Sequence, residues 1–97
     1  MPTIELLGSP DCPHVHTVRS NLKTALADLG LASALREVNQ GSLHPEDERR
    51  GYPSPTILVN GRDLYGMSPT NSSCRLFVEG IPSAAAIAKR IAGTLCA

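Results

Sequence analysis

A cysteine followed at once by a proline, in Asp11-Cys12-Pro13-His14, stands between a short apolar segment and a long amphipathic one. Residues 3–7 (Thr-Ile-Glu-Leu-Leu) read as a strand, and Gly8-Ser9-Pro10 as the loop beyond it. Pro13 suits the first turn of a helix, because its missing N–H would have no partner there. Cys12 is therefore expected where unpaired backbone N–H groups and the positive end of a helix dipole stabilise a thiolate. The thiolate is the form that acts as nucleophile and as soft-metal ligand. Read as packing alone, Cys12 is a small residue near a helix start. Ser54-Pro55 directly precedes the apolar run Thr56-Ile57-Leu58-Val59. A bond in that position is either cis, which imposes a specific geometry, or trans at a strand's first residue, where a missing N–H does no harm.

Three further residues bear on the chemistry. Cys74 lies in Ser73-Cys74-Arg75-Leu76-Phe77. If that segment folds back over the Cys12 helix start, Cys74 becomes a resolving thiol or a second soft ligand, provided its Cα comes within about 7 Å. Otherwise it is a buried, inert cysteine beside Leu76 and Phe77. His16 follows Cys12 by one helical turn and so shares its side of the helix. Cys12, His14, His16 and Cys74 would complete a Cys₂His₂ zinc set. However, Cys-x-His-x-His is not a common zinc spacing, and side chains at 14 and 16 point apart on a helix. No metal is assigned to this chain, and no cofactor motif is read. Cys96, His44 and Arg75 read as bystanders.

The elements that must position these residues follow from periodicity and punctuation. Val15, Val18, Leu22, Ala25, Leu26 and Leu29 form one helical stripe, with Gly30 at the C′ position. Residues 34–38 form a second strand, and the polar stretch 40–53 holds a short helix starting near His44. Thr56–Val59 is a strand, Asn60-Gly61 is a type I′ turn and Arg62–Tyr65 is the returning strand. Residues 66–82 are irregular. A last helix begins after Pro82, with Ser83 as N-cap and Ile87, Ala88, Ile91 and Leu95 as its buried stripe. Strand, helix, strand favours a parallel βαβ unit, and the hairpin adds antiparallel strands. The fold class is α/β, with a mixed four-stranded sheet and helices on its faces.

Bulk properties narrow the partners. The chain has 97 residues, 41% of them apolar, which supports one modest core and one domain over 1–97. With no Trp and one Phe, that core is built from Leu, Ile, Val and Ala. Zero formal charge gives no bulk attraction to nucleic acid or an anionic membrane. No apolar run approaches the roughly 20 residues of a membrane span. Met1-Pro2-Thr3-Ile4-Glu5 lacks a basic region followed by an apolar one, so no signal peptide is expected. Three cysteines, an odd number, fit a cytoplasmic protein better than a secreted disulfide framework.

Strand, Cys-Pro helix start and Ser-Pro-Thr hairpin entry together resemble the thioredoxin and glutaredoxin superfamily, over roughly residues 3 to 95. Asp11-Cys12-Pro13-His14 and Ser54-Pro55-Thr56 carry the resemblance, and Gly61-Arg62-Asp63-Leu64 resembles the stretch after the glutaredoxin hairpin. The chain is also similar to small bacterial thioredoxin-like proteins with a Ser-Cys-Arg-Leu segment, some of them linked with mercury resistance. The resemblance implies a thioredoxin-like βαβ(α)ββα fold with Cys12 as nucleophile. It implies a cis-Pro55 beside Cys12, and a Ser54 backbone that pairs with an extended thiol substrate. Its partner would be a protein or a low-molecular-weight thiol or disulfide. The familiar Cys-x-x-Cys is broken here, because the second position is Val15, as in monothiol relatives. Three readings stay open: a thiol-redox protein with Cys74 as possible resolving thiol, a soft-metal (Hg, Cu or Zn) module through Cys12 and Cys74, and a non-catalytic interaction domain.

Overall fold

The computed structural model describes residues 2–9, 12–66 and 80–95. Strand β1 (Ile4–Gly8) leads into helix α1 (His14–Asp28), which returns the chain to strand β2 (Leu35–Asn39). Strands β3 (Thr56–Val59) and β4 (Arg62–Asp63) follow, and helix α2 (Ala84–Leu95) comes last. Single 3₁₀ turns occupy Ala32–Ala34, Gln40–Ser42 and Glu48–Gly51. The four strands form one mixed sheet in the order β2-β1-β3-β4. β1 runs parallel to β2 and antiparallel to β3, and β3 is antiparallel to β4.

The alternation along β1 and β3 explains which face receives the helices. Ile4 and Leu6 on β1 pair in register with Val59 and Ile57 on β3, so all four project to one side. They join Val18, Leu22, Ala25 and Leu26 of α1 and Ile87 and Ile91 of α2 in one buried cluster. The two α-helices among the described residues therefore lie on the same face. Leu7 and Leu58, also fully buried, project to the opposite face. There the 40–53 segment is tied across the sheet. Arg49 Nη1 donates to Glu5 Oε2 at 2.8 Å, and Gln40 Nε2 donates to the carbonyls of Arg49 and Tyr52, each at 2.8 Å.

Local signals set the ends of the elements. Gly30, at φ 71°, closes α1 in a Schellman motif. Its N–H meets the Ala27 carbonyl, and that of Leu31 meets Leu26. Asn60 and Gly61 both have positive φ, as a type I′ hairpin requires. Asn60 also clips the hairpin to the start of β1, exchanging two hydrogen bonds with the Thr3 backbone. Ser83 Oγ accepts from the Ala86 N–H at 3.1 Å, the N-cap bond expected for α2.

Several expectations are corrected. The first two strands lie one residue later than read, because Gly8 and Asn39 complete the ladder. Strand β4 spans two residues, with Leu64 N–H bonding on to Ile57 outside it. The short helix expected near His44 is a 3₁₀ turn at Glu48–Gly51, capped by Asp47. Leu95 is 37% exposed, so the buried stripe of α2 ends at Ile91.

Candidate functional site

Cys12 sits one residue before Pro13, the N-cap of α1. Its backbone closes two turns that lead into the helix. The Cys12 N–H donates to the Ser9 carbonyl at 3.1 Å, and its carbonyl accepts from Val15 at 3.3 Å. No side-chain cap bond is made by Pro13, and no acidic residue stands in the first turn of α1. The positive end of the helix dipole thus meets no competing carboxylate from the helix itself.

Gly8 allows the helix start to approach β1. A Cβ at Gly8 would lie 3.1 and 3.2 Å from the two methyl carbons of Val15. Val15 is thus wedged against the end of the strand, in the position where a second cysteine would stand in a Cys-x-x-Cys motif. It holds the geometry of the helix start by packing.

Ser54 meets Cys12 from the other side. The Ser54-Pro55 peptide is cis. The Cys12 thiol donates to the Ser54 carbonyl oxygen at 3.5 Å, across 42 residues of chain. Ser54 Oγ accepts from the Ser9 N–H at 2.9 Å, tying the loop before Cys12 to the loop before β3. Ser54 is 2% exposed and Cys12 is 6% exposed. The Thr56 hydroxyl donates to the Pro53 carbonyl, spanning the cis bond. Two loops distant in sequence are thereby locked together around one sulfur.

Cys12 is one of the residues lining a cleft of about 370 Å³ between α1 and β2. Leu6, Val15 and Val38 contribute its apolar lining, and His16, Arg19 and Glu37 its charged and polar wall. Arg19 Nε is hydrogen-bonded and ion-paired to Glu37 Oε1, and Lys23 Nζ lies 4.0 Å from Glu37 Oε2. Arg19 Nη1 lies 3.1 Å from His16 Nδ1. A guanidinium only donates, so Nδ1 accepts and the ring proton resides on Nε2.

The structure brings Cys12, Pro13, Ser54 and Pro55 to one place, with His16 on the wall of the adjoining cleft. His14 is exposed on the first turn of α1. Cys74, Arg75 and Cys96 lie outside the described residues. Among the described residues, no group of three or more His, Cys, Asp or Glu is placed to hold a metal ion. Arg19 and Glu37 were not singled out in the sequence. The spacing of Arg19 from His16 was visible, but Glu37 reaches them only through the parallel register that sets it beside Leu6. No helix among the described residues is long and apolar enough to cross a membrane. No family model matches the chain, nor does any curated protein or solved structure.

Proposed function

We propose that this chain is a thioredoxin- or glutaredoxin-like thiol-redox protein whose nucleophile is Cys12. The observation that carries the reading is the 3.5 Å approach of Cys12 Sγ to the carbonyl of the cis-linked Ser54, one residue before the N-cap of α1. A parallel β1-α1-β2 unit followed by the antiparallel β3-β4 hairpin supports the same reading, as does the terminal helix α2.

The chemistry is thiol–disulfide exchange. Cys12 loses its proton to solvent, and the thiolate attacks one sulfur of a substrate disulfide. A mixed disulfide forms on Cys12 as the substrate S–S bond breaks, and the other half leaves as a thiolate. Val15 supplies no second thiol, so an external thiol attacks the substrate sulfur of the mixed disulfide and releases Cys12 as a thiolate. In the internal route Cys74 attacks the Cys12 sulfur, the substrate leaves as a thiolate, and an external thiol then reduces the resulting Cys12–Cys74 disulfide. The buried polar bonds from Ser54 to Cys12 and Ser9 keep the attacking sulfur in one position between the two loops.

The test is turnover of a glutathione-type mixed disulfide by the purified chain with a thiol reductant. Wild type is expected to accelerate the exchange and Cys12→Ser to abolish the acceleration. Cys74→Ser distinguishes an internal from an external resolving thiol. Unchanged acceleration in Cys12→Ser would refute the reading.

A further inference from the structure

The cleft beside Cys12 has a size typical of small-molecule sites and an unusual wall. Its volume, about 370 Å³, falls in the range of small-molecule sites. Its apolar lining is Leu6, Val15 and Val38, while Arg19 and Glu37 present opposite charges side by side. The side chains of this pair are 34% and 43% exposed, so solvent screens it and opening it costs little. A ligand carrying both an anion and a cation can replace each partner of the pair with one of its own groups. A ligand with a single charge can match only one partner of the pair.

The charged wall and Cys12 line the same cleft. Side chains on a helix point back toward its N-terminus, and Arg19 does so far enough to reach His16 Nδ1 at 3.1 Å. Its guanidinium is therefore level with residue 16, on the first turn of α1, and Cys12, His16 and Arg19 line the same cleft. In an amino-acid disulfide, the ammonium nitrogen and carboxyl carbon are each three bonds from sulfur. With the new S–S bond added, their reach from the attacking sulfur is about 5–6 Å. The His16 Nε2–H and the spare Arg19 donors suit a carboxylate. Glu37 suits an ammonium.

From this cleft we infer that the substrate of the Cys12 site is a small zwitterionic amino-acid disulfide, of which cystine is the simplest. The inference rests on the thiol-redox reading of Cys12. The Cys12 thiolate attacks one cystine sulfur, forming a Cys12–half-cystine disulfide. The cystine S–S bond breaks, and free cysteine leaves as a thiolate that takes a proton from water. An external thiol then attacks the half-cystine sulfur and carries it away as a mixed disulfide, returning Cys12 to the thiolate.

The experiment follows S-thiolation of Cys12 by peptide-mapped mass spectrometry with four disulfides. These are cystine, cystamine (cationic), 3,3′-dithiodipropionate (anionic) and bis(2-hydroxyethyl) disulfide (neutral). Each rate is divided by that of the same disulfide with N-acetylcysteine. The normalised rate is expected to be highest for cystine. Arg19→Gln is expected to lower the cystine-to-neutral and dithiodipropionate-to-neutral ratios roughly fivefold. Glu37→Gln is expected to do the same for cystine and cystamine, and Arg19→Lys, which keeps the charge, to retain most of the cystine preference. Circular dichroism checks that each variant is folded. Equal normalised rates for all four disulfides, or cystine ratios untouched by both neutralising changes, would overturn the inference and leave Cys12 a redox thiol. No reaction of Cys12 with any of the four would instead remove the redox reading, and the inference with it.

Discussion

At the scale of single residues, the site depends on two close approaches that leave no slack. Gly8 lets Val15 lie against the end of β1, and Ser54 touches both Cys12 and the Ser9 backbone. Gly8→Ala adds a methyl 3.1 Å from a Val15 methyl. It is expected to destabilise the fold by about 1–3 kcal/mol in chemical denaturation, as overpacking does. Adding Val15→Ala should recover part of that loss; no recovery would mean that the strain lies elsewhere. Val15→Cys asks a different question. The Val15 N–H to Cys12 carbonyl bond at 3.3 Å marks a single turn, within the Cα separation a disulfide needs. Oxidation of that variant is expected to remove two hydrogens by mass, through a bridge between Cys12 and the introduced thiol. Persistent alkylation of both thiols after oxidation would contradict the geometry. Cys12 and Pro13 were legible in the sequence because a Cys-Pro pair before an apolar helical stripe is a local signal. The wedge at Gly8 was not, because it depends on how closely two elements pack.

At the scale of elements, the 40–53 segment shows what periodicity cannot supply. It carries no apolar stripe, and polar bonds to β1 and within itself hold it in place. Arg49 is central, bonding Asp47 through Nε and Nη2 and Glu5 through Nη1. The side-chain hydrogen bond from Arg49 lowers the Asp47 pKa from 3.8 to about 2, and the Arg49 backbone N–H adds to it. A carboxyl held lower in the folded state favours folding at pH above its unfolded value. That contribution is lost as pH falls from about 3.8 through about 2. Unfolding measured over this range is expected to show stability falling with pH, and Arg49→Ala is expected to flatten the slope. An identical slope in Arg49→Ala would show that Asp47 does not draw on Arg49. The partnership of Arg49 with Glu5 spans 44 residues, so it appears only when the segment is laid on the sheet. By contrast, the hairpin at Asn60-Gly61 and the Ser83 cap were readable, since turn and cap chemistry acts within a few residues.

At the scale of the molecule, one core does most of the stabilising. Both helices share a single face of the sheet, and Leu22, fully buried, touches the centre of that layer. Leu22→Ala is expected to cost about 2–5 kcal/mol, a large share of the roughly 5–15 kcal/mol typical of a native domain. Urea unfolding should show a sharply lower midpoint, while exposed Thr24→Ala should stay within about 0.5 kcal/mol of wild type. Comparable midpoints for the two variants would show that this layer is not the core. Strand pairing and the mixed sheet were legible in the order of apolar runs and turns. The placement of both helices on one face was not. It depends on which alternate residues of β1 and β3 turn toward α1, and a one-residue shift of a strand exchanges its faces. The Arg19–Glu37 wall escaped the sequence for the same reason: it exists only once β2 lies in register beside β1.

The central claim is that Cys12 is the sulfur that exchanges. Its most direct measurement is to treat the reduced, folded chain with a stoichiometric small disulfide, trap it with acid, and locate the adduct by peptide mapping. The account predicts that the mixed disulfide first appears on Cys12, ahead of any adduct on Cys74 or Cys96. An adduct that forms first on either of those cysteines, with Cys12 unmodified in the folded chain, would contradict it.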